Sequence, residues 1–195
     1  METEEKMMTG EESFRIITEM LNKTRVNISM GSFHLLFWGW MIVICSLGQY
    51  ILVRYTSFAK PWLIWWLVIP GVFVSMIYGI VSGRRAKVHT YAGKIWMWTW
   101  ISYLFAMFVL FTVQSKSMET VSAYILILTG VPTFLSGIII RFRPLIIGGI
   151  CFWVFALFVA FAGPVIGPLG VPFAMIAGYL VPGYILKYRV DHDTI

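Results

Sequence analysis

Six apolar stretches dominate this chain, each close to the roughly 20 residues a helix needs to cross a hydrocarbon core. They run at about residues 31–53, 61–81, 94–114, 118–140, 144–163 and 166–187. With 195 residues, 59% of them hydrophobic and 12% charged, the chain has no soluble interior large enough to hide so much apolar surface. A bilayer solvates it directly. Inside lipid every backbone N–H and C=O has to be satisfied within its own segment, so each run is restricted to helix. The expected fold class is all-α: a polytopic membrane protein whose six-helix transmembrane bundle fills residues 31–187. A cytoplasmic N-terminal segment (1–30) precedes the bundle and a cytoplasmic tail (188–195) follows it.

Charge orients the bundle. Of the 15 lysines and arginines, all but Arg54, Lys60 and Lys116 fall on the side of the N-terminus when the spans are counted alternately. Basic residues are retained on the cytoplasmic face, which places both termini there in a multi-pass membrane protein. The net charge of +6 is thereby a topology signal; nucleic acid is not an expected partner, whereas the lipid bilayer is. Trp62, Trp65 and Trp66 fall at the outer end of the second span, and Trp96, Trp98 and Trp100 at the inner end of the third, where their amphipathic rings suit the headgroup layer.

Before the first span, Thr9-Gly10-Glu11-Glu12 fits a capping box and predicts a helix start. Phe14, Ile17, Leu21 and Ile28 then recur at helical spacing, while Arg15, Glu19 and Lys23 form opposite-charge i,i+4 pairs on another face. The expectation is an N-terminal cytoplasmic amphipathic helix over about residues 9–28, lying on its own bundle or docking a partner. Its polar face is balanced in charge, which favours a protein contact over anionic lipid. The acidic start lacks the basic n-region of a cleaved signal peptide, so the first span is expected to act as the insertion signal.

A weak internal repeat runs through the spans. The second carries Gly71, Ser75 and Gly79, the fourth Thr129, Thr133 and Gly137, and the sixth Gly170, Ala174 and Gly178, each with a proline close by at Pro70, Pro132 or Pro172. Small residues four apart let helix backbones approach, which is what drives association in lipid. The odd spans are loaded with aromatics instead. The pattern predicts even spans at the centre and odd spans outside, and it suits a homo-oligomer. The sixth span, with Pro168, Pro172 and Pro182, is the most interrupted; broken helices mark binding sites in transporters.

No acidic or basic side chain lies deep in any span, which argues against ion-coupled transport and voltage sensing. No nucleophile elbow, phosphate loop, HExxH or paired carboxylates occur. Cys45 and Cys151 stand alone in apolar runs and suit no disulfide or metal spacing. Neither an enzyme nor a cofactor is expected. The remaining polar groups in the spans include His34, Tyr103, Thr133, Ser136, Tyr179 and Tyr184. The two arginines of Arg141-Phe142-Arg143-Pro144 mark a tight inner turn, with Pro144 opening the fifth helix.

Phe37-Trp38-Gly39-Trp40, Val88-His89-Thr90-Tyr91, Gly130-Val131-Pro132-Thr133-Phe134 and Phe142-Arg143-Pro144-Leu145, in that order behind an amphipathic helix, resemble a group of small six-span bacterial inner-membrane proteins with no assigned activity. The likeness covers nearly the whole chain. It implies a bacterial inner-membrane setting and at most an association with signalling, and no functional residue carries over from it. Two functions are therefore expected from the residues themselves. One is a non-enzymatic sensory, regulatory or scaffold component that docks a cytoplasmic protein through Phe14, Ile17, Leu21, Arg84, Arg85 and His89. The other is a small transporter or channel for a neutral or lipid-like solute, lined by Thr133, Ser136, Tyr179 and Tyr184.

Overall fold

The computed structural model describes residues 10–56, 59–85, 91–113 and 121–192, and places side chains within 31–56, 59–81, 93–113, 121–163 and 165–189. Among these residues every regular element is helical. Six segments are long and apolar enough to cross a bilayer: Gly31–Tyr55, Pro61–Val81, Gly93–Val113, Val121–Ile139, Arg143–Phe161 and Gly167–Arg189. The chain thus has the architecture of a multi-pass membrane protein, with spans close to those read from the apolar runs.

The first span is part of a longer element. Helix α1 runs unbroken from Gly10 to Tyr55, 46 residues, so the N-terminal helix is continuous with the span and not a separate element turned aside from it. Nothing between Ile28 and Ser32 stops the hydrogen-bond ladder: the stretch has no proline, and a Cβ at Gly31 would make only an ordinary contact with Leu186 at 3.6 Å. Thr9, the expected cap, lies outside the described residues. The second span opens as a 3₁₀ helix, Pro61–Leu67, and continues as α2, Val68–Arg85. Helix α3 is Tyr91–Val113.

Helices α4 (Val121–Ile139) and α5 (Arg143–Phe161) form the most extensive pair in the bundle. Their turn is a Schellman closure: Phe142 N–H donates to Gly137 O at 2.8 Å and Arg141 N–H to Ile138 O at 3.1 Å, satisfying carbonyls that a helix end leaves open. Arg141 occupies the left-handed position of that motif, at φ 53°, where glycine is usual because it has no Cβ to clash. Pro144 follows Arg143 in the first turn of α5, where its missing N–H costs nothing. Beyond the turn, glycines set the spacing. A Cβ at Gly137 would lie 2.6 Å from Ile146 N, and one at Gly149 2.7 Å from the Phe134 backbone.

The last span is the most broken. A left-handed Gly163 (φ 76°) leads through α6 (Gly163–Ile166) and a 3₁₀ turn (Gly167–Leu169) into α7 (Gly170–Met175), then a π-helical turn (Ile176–Leu180), then α8 (Val181–His192). The wide turn sits just ahead of Pro182, whose ring would strike the carbonyl four residues earlier in a regular α-helix. A π-turn is one way a helix absorbs that demand. The same stretch meets α5 through backbone: a Cβ at Gly148 would lie 2.6 Å from Gly178 O.

Helix neighbours follow an arc. The second span packs on the first, the first on α7, the π-turn and α8, these on α5, α5 on α4, and α4 on α3. The interior is built on Val43, Leu126, Phe152, Ala156, Ala174, Met175, Tyr179 and Leu180. A smaller cluster of Phe142, Leu145 and Leu186 closes the end with the Arg141 turn, where the Arg189 guanidinium lies 5.6 Å from the Phe142 ring.

This arrangement corrects the expected split between even and odd spans. The sixth and fourth are indeed the most buried, at 61% and 44%, but the second is only 6% buried, less than the first at 22% or the fifth at 28%. The small residues of the second span serve one neighbour. Gly71 receives Phe37 and Met41, Ser75 receives the Trp38 indole, and a Cβ at Gly79 would meet nothing within 4 Å. A small-residue stripe specifies one close contact, not a place at the centre.

Two stability outcomes follow. Arg141→Gly relieves left-handed strain and is expected to stabilise the purified protein by about 1 kcal/mol, read as a higher melting temperature in detergent. Gly148→Val overpacks the crossing of α5 with the π-turn and is expected to destabilise by about 1–3 kcal/mol or more; an unchanged melt would show that the two backbones do not meet there.

Candidate functional site

A line of hydroxyls crosses the middle of the bundle from α3 to the last span. Thr129 and Thr133 lie one turn apart on α4. Each turns its proton back on its own helix, Thr129 Oγ1 donating to Ile125 O and Thr133 Oγ1 to Thr129 O, both at 2.7 Å. A hydroxyl has a single proton, so the contacts these oxygens make outward are received from tyrosines. Tyr103 on α3 donates to Thr129 Oγ1 at 3.1 Å, and Tyr179 in the π-turn stands 3.4 Å from Thr133 Oγ1. The line reads Tyr103, Thr129, Thr133, Tyr179, with every hydroxyl proton committed and lone pairs on both tyrosine oxygens to spare.

The π-turn contributes directly to this geometry. Tyr179 is 5% exposed, its ring edge-on to Phe152 at 5.1 Å, and Phe152 in turn lies in the space that the missing side chain of Gly178 leaves. Thr133 and Ser136 are 1% and 4% exposed. Ser136 lies three residues past Thr133, on the same face of α4.

Tyr184 stands elsewhere. It is 50% exposed and accepts a hydrogen bond from Trp40 Nε1 at 3.1 Å, tying α8 to α1 on the outside of the bundle. Thr133, Ser136 and Tyr179 therefore gather in the interior while Tyr184 does not join them. Of the expected docking residues, His89 lies outside the described residues, as do the side chains of Phe14, Ile17, Leu21, Arg84 and Arg85.

Tyr103, Trp100 and Thr129 complete the interior cluster and were not among the expected lining residues. Thr129 was visible in the small-residue stripe and Tyr103 among the polar groups of the third span, but only the packing pairs them. Trp100 was expected in the headgroup layer beside Trp96 and Trp98. Those two rings are exposed, whereas Trp100 packs on the main core with its ring 5.6 Å from Tyr103. Trp65 is half-buried as well and donates to Gln49 Oε1.

A second aromatic group stands between α1 and α2. Phe33 stacks on Tyr78 with ring centroids 3.9 Å apart, and Phe37 and His34 flank that pair. His34 is half-buried among rings in this group. Among the described residues no three His, Cys, Asp or Glu side chains gather to hold a metal ion.

No known protein family matches the chain, and no curated protein or solved structure is similar to it.

The hydroxyl pairs are expected to be modest contributors to stability. A double-mutant cycle of Tyr103→Phe and Thr129→Val, followed by unfolding in detergent, is expected to return a coupling of about 0.6 kcal/mol, the usual worth of an interhelical hydrogen bond in a membrane protein. Strict additivity would show that α3 is not held to α4 through this pair.

Proposed function

We propose that this chain is a non-enzymatic sensory, regulatory or scaffold component of a bacterial inner membrane, with both termini cytoplasmic, that docks a cytoplasmic protein through its N-terminal helix. The observation that carries this reading is the length of α1. Its 46 residues make a rod of about 70 Å at 1.5 Å per residue, more than twice the roughly 30 Å of a hydrocarbon core. The part ahead of Gly31 therefore extends beyond the membrane as a continuation of the first span. An unbroken continuation favours an amphipathic face offered to a protein over one laid flat in the headgroups. The pattern of Phe14, Ile17 and Leu21 supplies that face in sequence. Counted by spans, Arg84, Arg85 and His89 follow the second span in sequence and so fall on the side of the N-terminus, where they supply the basic residues of the proposed docking.

The test is capture of the full-length protein from its native membranes against a version lacking residues 1–28. A protein that co-purifies with the first and is lost from the second is the expected result. The same proteins captured by both versions would refute docking through the helix.

The interior gives one specific reason to keep the second reading, a small transporter or channel for a neutral or lipid-like solute. The hydroxyl line and the interrupted last span meet at Tyr179, and interrupted helices are where transporters hold their cargo. A small molecule retained by both versions, with no protein partner in either, would favour transport.

A further inference from the structure

Helix α1 is one unbroken element, so the direction of each position ahead of the membrane is fixed by the directions found inside the bundle. In an α-helix about 18 residues make five whole turns, and positions that far apart share one face. The N-terminal part of α1 can therefore be set against contacts made farther along it.

Positions Ile17 and Leu21 stand about five turns ahead of Leu35 and Gly39. Those two carry the last span. Leu35 packs on the cluster that contains Leu186, and a Cβ at Gly39 would lie 2.6 Å from the Leu180 side chain. Positions Arg15, Glu19 and Lys23 stand the same distance ahead of Phe33, Phe37 and Met41. Those three carry α2, with Phe33 stacked on Tyr78 and Phe37 and Met41 closing over Gly71. The apolar positions thus share a face with the α8 contact, and the charged positions share one with the α2 contact. A helix laid on the membrane surface has no reason to keep that phase. The end of α2, with Arg84 and Arg85, stands on the other side of α1, so the apolar and basic parts of the docking surface are separate.

The apolar seam outruns the last span. Helices α1 and α8 are antiparallel, with Leu180 against Gly39 and Leu186 against Gly31. Helix α8 ends at His192, which brings its last residue level with about residue 25 of α1. Phe14, Ile17 and Leu21 lie about 6–17 Å farther along at 1.5 Å per residue, on a face whose inner half already holds a helix. The steps of three and four through Phe14, Ile17, Leu21, Thr24, Ile28, Gly31 and Leu35 are those of a coiled-coil seam.

We infer that the outer half of this seam is covered by an amphipathic helix of a cytoplasmic protein, which stands on the end of α8 and prolongs its line along α1. The inference rests on the docking reading and adds the kind of partner and the side it takes. Continuity with the α8 contact is what specifies a helix. Ser13, Phe14, Ile17, Thr18, Leu21 and Thr24 carry no charge, so the partner's facing stripe is small and aliphatic, as Leu180, Gly183 and Leu186 are on α8. A second copy's α1 is excluded from this line. It leaves the membrane at the same depth, and at the roughly 8–10 Å spacing of packed helices it would have to stand where α8 stands.

The experiment uses the full chain in its native membranes, with the photo-crosslinker p-benzoylphenylalanine replacing Ile17, Leu21, Arg15 or Glu19 in turn. One protein is expected to crosslink at least tenfold more from positions 17 and 21 than from 15 and 19, through a peptide with apolar residues three and four apart. Two alanines inserted after Ser29 turn the outer part of α1 by about 200° against α8 and are expected to abolish those adducts. Seven alanines, which return it to within about 20° of its starting phase, are expected to keep them. Adducts that survive the two-alanine insertion, or that form from 15 and 19 alone, would overturn the inference and leave docking through the helix standing. Adducts to a second copy of the chain would overturn it in favour of self-association. No protein adduct from any of the four positions would remove the docking reading with it.

Discussion

Helices immersed in hydrocarbon gain nothing by hiding apolar side chains from one another, because lipid tails are as apolar as leucine. What remains is close contact between backbones and the hydrogen bonds that close contact permits. Here that contact is concentrated in α4, α5 and the last span. Gly137 and Gly149 bring α4 and α5 together, and Gly148 meets Gly178 across the next interface. Helix α3 attaches to this centre through aromatic rings and a single hydrogen bond, Tyr103 to Thr129, while α2 attaches to α1, where Trp38 donates to Ser75.

The same approach explains why the polar groups sit where they do. Gly178 has no side chain, so the Phe152 ring lies over its backbone, and Tyr179 is turned inward beside it toward Thr133. The wide turn ahead of Pro182 and the hydroxyl line are thus one device: the proline disturbs the helix, the disturbance sets the direction of Tyr179, and the tyrosine supplies the proton that Thr133 has already spent on its own backbone.

Much of the architecture was legible because it follows from length and composition. A span's limits are set by where apolar residues stop, and the Arg141-Phe142-Arg143-Pro144 turn announces itself. Which helices neighbour which was much less legible. Gly71, Ser75 and Gly79 carry the same spacing as Thr129, Thr133 and Gly137, yet the first stripe lies at the edge and the second near the centre, because spacing records closeness without recording to what. Thr133, Ser136 and Tyr179 were legible as interior groups. Tyr184 was not separable from them, being set on the outer face by its bond to Trp40. Trp100 looks like its neighbours Trp96 and Trp98 in sequence and differs only in the direction that α3 turns it. The continuity of α1 through Ser29 and Gly31 was hidden too, since a change from amphipathic to apolar composition looks like a boundary even where the backbone ladder runs straight across it.

The first span's chief neighbour is the last. Gly39 lies against Tyr179 and Leu180, and Gly183 against Leu35 and Leu36. A ribosome releases these partners at opposite ends of synthesis, so α1 waits in the bilayer with only the second span against it until the last span arrives. The α4 and α5 hairpin has no such delay, and contacts between near neighbours in sequence form sooner than those that must close a long loop. The arrival of the final helix then locks the first into place. During that interval the unpartnered face of α1 is the part of the nascent protein that insertion factors would need to shield.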